Sequence, residues 1–102
     1  MLSVLVPLFD GFEELEAVAP IDLLRRAGAE VVMASLTEEL RVTGRNGIRV
    51  VADTTLSAAL DRNFDCLLLP GGPGVKYLRA DPRVAALVRR QARYGRWIAA
   101  IC

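Results

Sequence analysis

The residue best suited to covalent chemistry is Cys102, which follows an apolar run of strand character at positions 97–101. A free cysteine thiol has a pKa of about 8.5, so only a small fraction is thiolate at neutral pH. A helix N-terminus after the strand would lower that pKa and favour the nucleophilic thiolate. The competing interpretation is a buried cysteine that packs as a small apolar side chain. That second interpretation is retained for Cys66, which lies inside an apolar run.

Glu16 is the candidate acid, near the start of a predicted helix. A carboxyl group pressed into an apolar site is driven toward its neutral form. It could then donate a hydrogen bond to a thiolate or pass a proton. The alternative is a purely electrostatic role at the positive end of the helix dipole, a role that suits Glu13 and Glu14 well.

Gly71 and Gly72 belong to a third candidate element, the segment Pro-Gly-Gly-Pro-Gly at positions 70–74. Backbone without side chains lets a substrate approach closely, and its N–H groups could stabilise an oxyanion. The alternative is a tight exit from the preceding strand. The segment is neither a P-loop nor a dinucleotide fingerprint, because it lacks Gly-Lys-Ser/Thr and Gly-x-Gly-x-x-Gly.

Strand and helix patterns alternate along the chain and would bring these elements together. The first helix carries a predicted apolar stripe at every third residue from Leu15 to Leu24, and Pro20 is expected to kink it. The pattern predicts an α/β sandwich with a mostly parallel sheet. Ligands bind beyond the carboxyl ends of such strands, where residues 11–16, 71–74 and 102 would converge. The predicted strands are 2–9, 30–36, 64–69 and 97–102, with a hairpin of 40–43 and 48–52 around Asn46-Gly47; the predicted helices are 13–27, 56–60 and one that begins at Asp81-Pro82.

Composition excludes several classes of protein. Thirteen basic residues nearly balance twelve acidic ones, which argues against partners held by bulk charge, such as nucleic acid or an anionic membrane. An arginine cluster at positions 89, 90, 93 and 96 is interpreted as a solvated helix face, with nucleic-acid binding as the minor alternative. Two cysteines without a framework spacing favour a reducing cytoplasm. The sequence has no histidine, so no imidazole metal site or complete Cys-His pair is expected within it.

The last residues lead to an expectation about the size of the folded unit. The run 97–101 has no turn, cap or polar tail after it, although a chain terminus normally lies on the surface. A terminal carboxylate at the end of a buried strand would be costly. We therefore expect residues 1–102 to be the N-terminal portion of a single larger domain, with the remainder in the same polypeptide or held as a separate chain.

The motifs in combination resemble the ThiJ/PfpI family, in the branch of the Parkinson-disease-linked protein deglycase. Their order and intervals match over the whole chain. The matching segments are Gly-Phe-Glu-Glu-Leu-Glu-Ala-Val at 11–18, Ile-Asp-Leu-Leu-Arg-Arg-Ala-Gly at 21–28, Asp-Cys-Leu-Leu-Leu-Pro-Gly-Gly at 65–72 and Ile-Ala-Ala-Ile-Cys at 98–102.

The resemblance implies a flavodoxin-like sandwich, usually a homodimer, with Cys102 as the nucleophile on a sharp strand-to-helix turn. It implies that Glu16 hydrogen-bonds the cysteine and that the backbone amide of Gly72 faces the thiol, with Gly71 and Gly11 in support. The family's histidine would lie beyond residue 102. One departure concerns the subunit contact, where some members have an arginine and this chain has Asn46.

Two functions follow as expectations, and neither needs a cofactor or metal. The first is cysteine-dependent hydrolysis of small reactive carbonyls or their protein adducts, as in a glyoxalase or deglycase. The second is a redox-sensing or chaperone-like stress protein, because an acidic and accessible thiol oxidises readily. A flavodoxin-like binding or receiver module ranks last, since Pro70 stands where a receiver needs an aspartate.

Overall fold

The computed structural model describes residues 1–102. Strands and helices alternate as the sequence predicts. The strands are β1 (Ser3–Leu8), β2 (Glu30–Ser35), β3 (Arg41–Thr43), β4 (Arg49–Val51), β5 (Thr54–Thr55), β6 (Cys66–Leu69) and β7 (Trp97–Ala100), and the helices are α1 (Glu14–Arg26), α2 (Leu56–Ala59), α3 (Val75–Ala80) and α4 (Pro82–Arg93).

Five strands form one parallel sheet in the order β5-β2-β1-β6-β7, and β3 and β4 form a separate antiparallel hairpin. Helices flank this sheet: α1 contacts β2, and α4 contacts β6 and β7. The predicted α/β architecture with a parallel sheet is therefore confirmed. None of the helices has the length and apolar character needed to cross a lipid bilayer.

The central strand β1 is buried from Val4 to Leu8, as its continuous apolar sequence predicts. The sequence also suggests that pairing ends near Pro7, since proline lacks a backbone N–H. This holds on one side, where pairing with β6 covers Val4 and Leu5. On the other side the register with β2 continues through Pro7 to Leu8.

Only the second half of the apolar stripe predicted for α1, Ile21 and Leu24, packs against the core. Leu15 and Val18 are exposed, whereas Glu14, Ala17 and Ile21 are buried. The reason is geometric: a helix turns about 100° per residue, so steps of three drift by about 60° each. Four residues spaced by three therefore cannot stay on one side. The helix itself runs continuously through Pro20, within one residue of each predicted end.

The hairpin is present, but its turn is not the predicted two-residue turn. Gly44 N–H donates to Ile48 O at 2.8 Å, and Gly47 N–H donates to Gly44 O at 3.0 Å. Gly47 has a positive φ of 84° and Asn46 does not, whereas a type I′ turn needs positive φ at both central residues. The connection is therefore a longer loop closed by Gly47.

Within residues 1–102, β7 pairs with β6 alone and Trp97 is 74% exposed. The burial predicted for this strand concerns the larger domain and stays a prediction. Two elements were not predicted: the short strand β5, and helix α3 directly after the Gly-Pro-rich segment. The predicted start of α4 is confirmed, because Asp81 caps the helix by accepting from Arg83 N–H at 2.9 Å.

Candidate functional site

The carboxyl ends of three sheet strands meet beside the start of α1. β1 leads into the turn at 10–13, β6 leads into 70–74, and β7 leads into 101–102. The ladder continues past β7, since Ile101 N–H donates to Leu69 O at 3.0 Å. The three predicted elements therefore lie at one edge of the sheet.

Glu16 is joined directly to the glycine segment. Its Oε1 accepts a hydrogen bond from Gly71 N–H at 3.1 Å. A second link runs in parallel, because Glu13 N–H donates to Gly71 O at 2.9 Å. Glu13 also caps the helix, accepting from Glu16 N–H at 3.2 Å. The carboxyl group of Glu16 is thus held in a defined place at the first turn of α1.

Gly71 lies between that carboxyl group and the cysteine. A Cβ atom at this position would fall on Glu16 Oε1, would lie 2.7 Å from Ile101 O, and would lie 3.2 Å from Cys102 Cα. Any side chain here would push the glutamate and the cysteine apart. The structure therefore joins Glu16 to Gly71 and places Gly71 against the backbone of Cys102, without a direct hydrogen bond between Glu16 and Cys102. The roles assigned to Glu16, Gly72 and Cys102 from the sequence stay predictions. Cys102 is exposed.

Gly72 has a conformation that suits glycine, with φ of 120°. A Cβ atom there would lie 2.5 Å from Gly11 O and 2.6 Å from Glu13 N. Its N–H donates no hydrogen bond within the chain and remains available as a donor. Gly11 links the turn after β1 to the hairpin and to the glycine segment: its N–H donates to Thr43 O at 2.8 Å, and its carbonyl accepts from Gly74 N–H at 3.0 Å.

A cavity of about 500 Å³ opens beside the thiol. Its wall is mainly apolar, and the charged members are Arg79 and Arg89. The remaining lining residues are Leu69, Pro70, Gly71, Val75, Leu78, Val84, Ala85, Val88, Ala100, Ile101 and Cys102. A second cavity, of about 620 Å³, lies at the carboxyl ends of β1 and β2, and neither Glu16 nor Cys102 lines it.

Cys66 stands apart from this site. It lies in β6 and is half-buried. Burial raises the pKa of the Cys66 thiol, and the neighbouring Asp65 carboxylate raises it further. The two cysteines therefore lie in different places, Cys66 within β6 and Cys102 beyond the end of β7.

One polar residue at this corner was missed from the sequence. Glu14, interpreted there as a helix-dipole charge, is 6% exposed and binds the turn between β3 and β4. A signal was present, since Ala17, Ile21 and Leu24 lie three, seven and ten residues beyond it. That is the spacing of a core-facing helical stripe, with Glu14 as its first member.

A thiol and a carboxyl group at the rim of a parallel α/β sheet define a candidate cysteine-nucleophile site. The chain belongs to the DJ-1/PfpI family, whose sequence pattern matches residues 2–102. This confirms the resemblance identified from the motifs.

Relatives and solved structures give the same assignment. The chain is 46% identical to Protein DJ-1 homolog A of Arabidopsis thaliana, covering 98% of the chain and 26% of that protein. It is 36% identical to glutathione-independent glyoxalase DJR-1.2 of Caenorhabditis elegans, covering 97% and 52%. It is 35% identical to protein/nucleic acid deglycase 2 of Escherichia coli, covering 98% and 59%. The structure of oxidized Toxoplasma gondii DJ-1 superposes with a TM-score of 0.96 at 43% identity, covering 100% of this chain and 56% of that one.

Proposed function

We propose that this chain carries the nucleophile and the proton-handling carboxyl group of a cysteine-dependent hydrolase that acts on small reactive carbonyls or their protein adducts. The observation that carries the proposal is the Glu16–Gly71 hydrogen bond of 3.1 Å, with Gly71 packed against the backbone of Cys102. Relatives named as a glyoxalase and a deglycase support the choice of reaction class.

In the proposed reaction the Cys102 sulfur forms a bond to the carbonyl carbon, and the carbonyl electron pair moves onto oxygen. The free N–H of Gly72 stabilises that oxyanion. Glu16 transfers the proton that the intermediate gains or loses. With methylglyoxal as substrate, Cys102 adds to the aldehyde, and the C1 hydrogen then moves as a proton to C2 through an enediol, which oxidises C1 to a thioester and reduces C2 to an alcohol. Water attacks the thioester, the carbon–sulfur bond breaks, and lactate leaves as the thiol is restored, so no redox cofactor is needed.

Replacing Glu16 with glutamine tests this reaction against the redox alternative. E16Q keeps an oxygen that can accept from Gly71 N–H, but it cannot transfer a proton. We expect kcat for methylglyoxal to fall about a hundredfold, the usual size of general acid–base catalysis. The measurement is lactate formed per thiol over time, and E38Q at an exposed position is the matched control.

Two results would count against the enzyme. One is wild-type kcat in E16Q. The other is release of at most one product per thiol by the unmodified protein, which would favour the redox sensor. The redox alternative requires a thiol that oxidants can reach. A related structure, that of Toxoplasma gondii DJ-1, is described as oxidized.

We also propose that residues 1–102 form the N-terminal portion of one domain, and that the remainder supplies the histidine that the family resemblance implies. The chain spans about half the length of the glyoxalase and deglycase relatives, which supports this division. Because two cysteines without a framework spacing suit a reducing compartment, the proposed location is the cytoplasm.

We propose that two copies of this protein form a homodimer through α1 and the β3–β4 hairpin. Large apolar side chains are exposed on both elements: Leu15 and Val18 on α1, and Ile48 and Val51 on the hairpin. The two groups are adjacent, since Ile48 N–H donates to Glu14 Oε2 at 3.2 Å. An exposed apolar patch of this kind marks an interaction surface.

A charge within this patch should prevent pairing. We expect L15R to halve the mass in solution, measured by light scattering at several concentrations, because an arginine would be buried without a partner. L23R is the control, because Leu23 is equally accessible but lies about 80° away around the helix. A dimer that survives L15R would place the interface elsewhere.

A further inference from the structure

Glu14 is the one acidic side chain among the buried residues, and it faces three N–H donors on the hairpin. Its Oε2 accepts from Asn46 N–H at 2.8 Å and from Ile48 N–H at 3.2 Å. Its Oε1 accepts from the Asn46 side-chain amide at 2.9 Å. A Cβ atom on Gly44 would fall on the Glu14 carboxyl group, so the turn closes directly around it.

These contacts form part of a continuous attachment, named here the hairpin clamp, between residues 10–14 and 43–48. Arg45 N–H donates to Phe12 O at 2.8 Å. Thr43 N–H donates to the Asp10 carboxylate at 3.0 Å. The hairpin therefore holds the segment that enters α1 along its whole length.

The charge of Glu14 is favoured by this arrangement. Burial raises the pKa of Glu14, but hydrogen bonds from its own backbone N–H, from Ile48 and from Asn46 lower it by more. Three N–H donors face the two carboxylate oxygens, and two of the three are backbone groups that cannot become acceptors. The clamp therefore favours a carboxylate at position 14.

We infer that Glu14 is a positioning residue for the Cys102 site, acting through the first turn of α1. Glu14 and Glu16 lie two residues apart on that turn, and Glu16 reaches Gly71 from it. The residue before Glu14 is also held, because Glu13 N–H donates to Gly71 O. Because Glu14 is attached to the hairpin and Glu13 to the glycine segment, the backbone that carries the Glu16 side chain is held in place. This inference rests on the proposed function.

Exchanging the carboxylate of Glu14 with the amide of Asn46 tests this inference. In E14Q the Asn46 side-chain amide must turn to present its oxygen to the new amide N–H, and the negative charge bound by the hairpin N–H groups is lost; in N46D two carboxylates face each other. In E14Q/N46D the amide and the carboxylate are exchanged, so each donor again meets an acceptor. The double variant also keeps the net charge of the wild-type protein.

The readouts are kcat and the rate of Cys102 alkylation, measured on the complete protein at a temperature where circular dichroism shows each variant folded. We expect each single variant to lose about tenfold or more in both rates, because a displacement of about 1 Å costs up to about a hundredfold. The double variant should recover most of that loss. A residue with a purely structural role would lower the urea midpoint and leave both rates of the folded protein unchanged.

Wild-type rates in folded E14Q would overturn the inference. If E14Q does not fold, N46A removes a single donor and is expected to reduce alkylation severalfold; an unchanged rate there would also overturn it. The alkylation readout separates the two proposals. A wild-type protein without turnover contradicts the proposed function alone, whereas equal alkylation in wild type and E14Q contradicts the role of Glu14 alone.

Discussion

Replacing Cys102 with serine is expected to lower kcat/KM for methylglyoxal at least about a thousandfold while the fold is retained. Loss of a covalent nucleophile typically has effects of this size or larger, and a hydroxyl without an activating base is a far weaker nucleophile than a thiolate. The fold should tolerate the change because serine has nearly the same shape and size as cysteine. Initial rates of lactate formation, with circular dichroism as a check on folding, give the measurement.

The chain supplies a matched control for this substitution. Cys66 is its other free cysteine, half-buried in β6 with a raised pKa. C66A should keep a rate close to that of the wild type. Comparable losses in C102S and C66A would point to a general effect of thiol removal and would remove Cys102 from the proposed role.

The second large effect is expected from alanine at Gly71. The new Cβ would meet the Glu16 carboxyl group and lie 2.7 Å from Ile101 O, closer than atoms can pack. To make room for the new methyl group, α1 and the end of β7 must move apart. We expect this movement to lower the free energy of unfolding by about 1–3 kcal/mol, as overpacking usually does. The resulting shift of Glu16 relative to Cys102 should lower kcat/KM about a hundredfold. Urea unfolding and initial rates measure the two effects separately.

G95A is the control for G71A. Gly95 has a positive φ of 65° and no atom within 4 Å of a Cβ there, so alanine meets backbone strain but no clash. Its expected cost is about 1 kcal/mol, with activity unchanged. A G71A protein as active as G95A would show that the close approach at Gly71 has no bearing on the site.

The parts of the fold that were predictable are those set by local chemistry. Asp81-Pro82 specifies a helix start by itself, because the aspartate caps and the proline fits the first turn. The continuous apolar run of β1 likewise identifies a strand covered on both sides. Parallel pairing then brings the ends of β1, β6 and β7 to one edge, so the convergence of Glu16, Gly71 and Cys102 could be expected.

The parts that were missed depend on distant partners. The buried face of α1 includes Glu14, whose hydrogen-bond partner Asn46 is 32 residues away in sequence. Local reasoning treats that glutamate as a surface charge because no partner is visible nearby. The same contact shapes the turn, since Asn46 is directed to Glu14 and does not adopt the positive φ of a two-residue turn.

The central claim is that the Glu16 carboxyl group and the Cys102 sulfur act as a pair. A crystal structure of the complete, reduced protein tests it most directly, through the distance between the nearer Glu16 carboxyl oxygen and Cys102 Sγ. We predict a separation within hydrogen-bonding reach, with Gly71 N–H still bound to Glu16. A carboxyl group turned away from the sulfur, or a sulfur packed among hydrocarbon side chains, would contradict it.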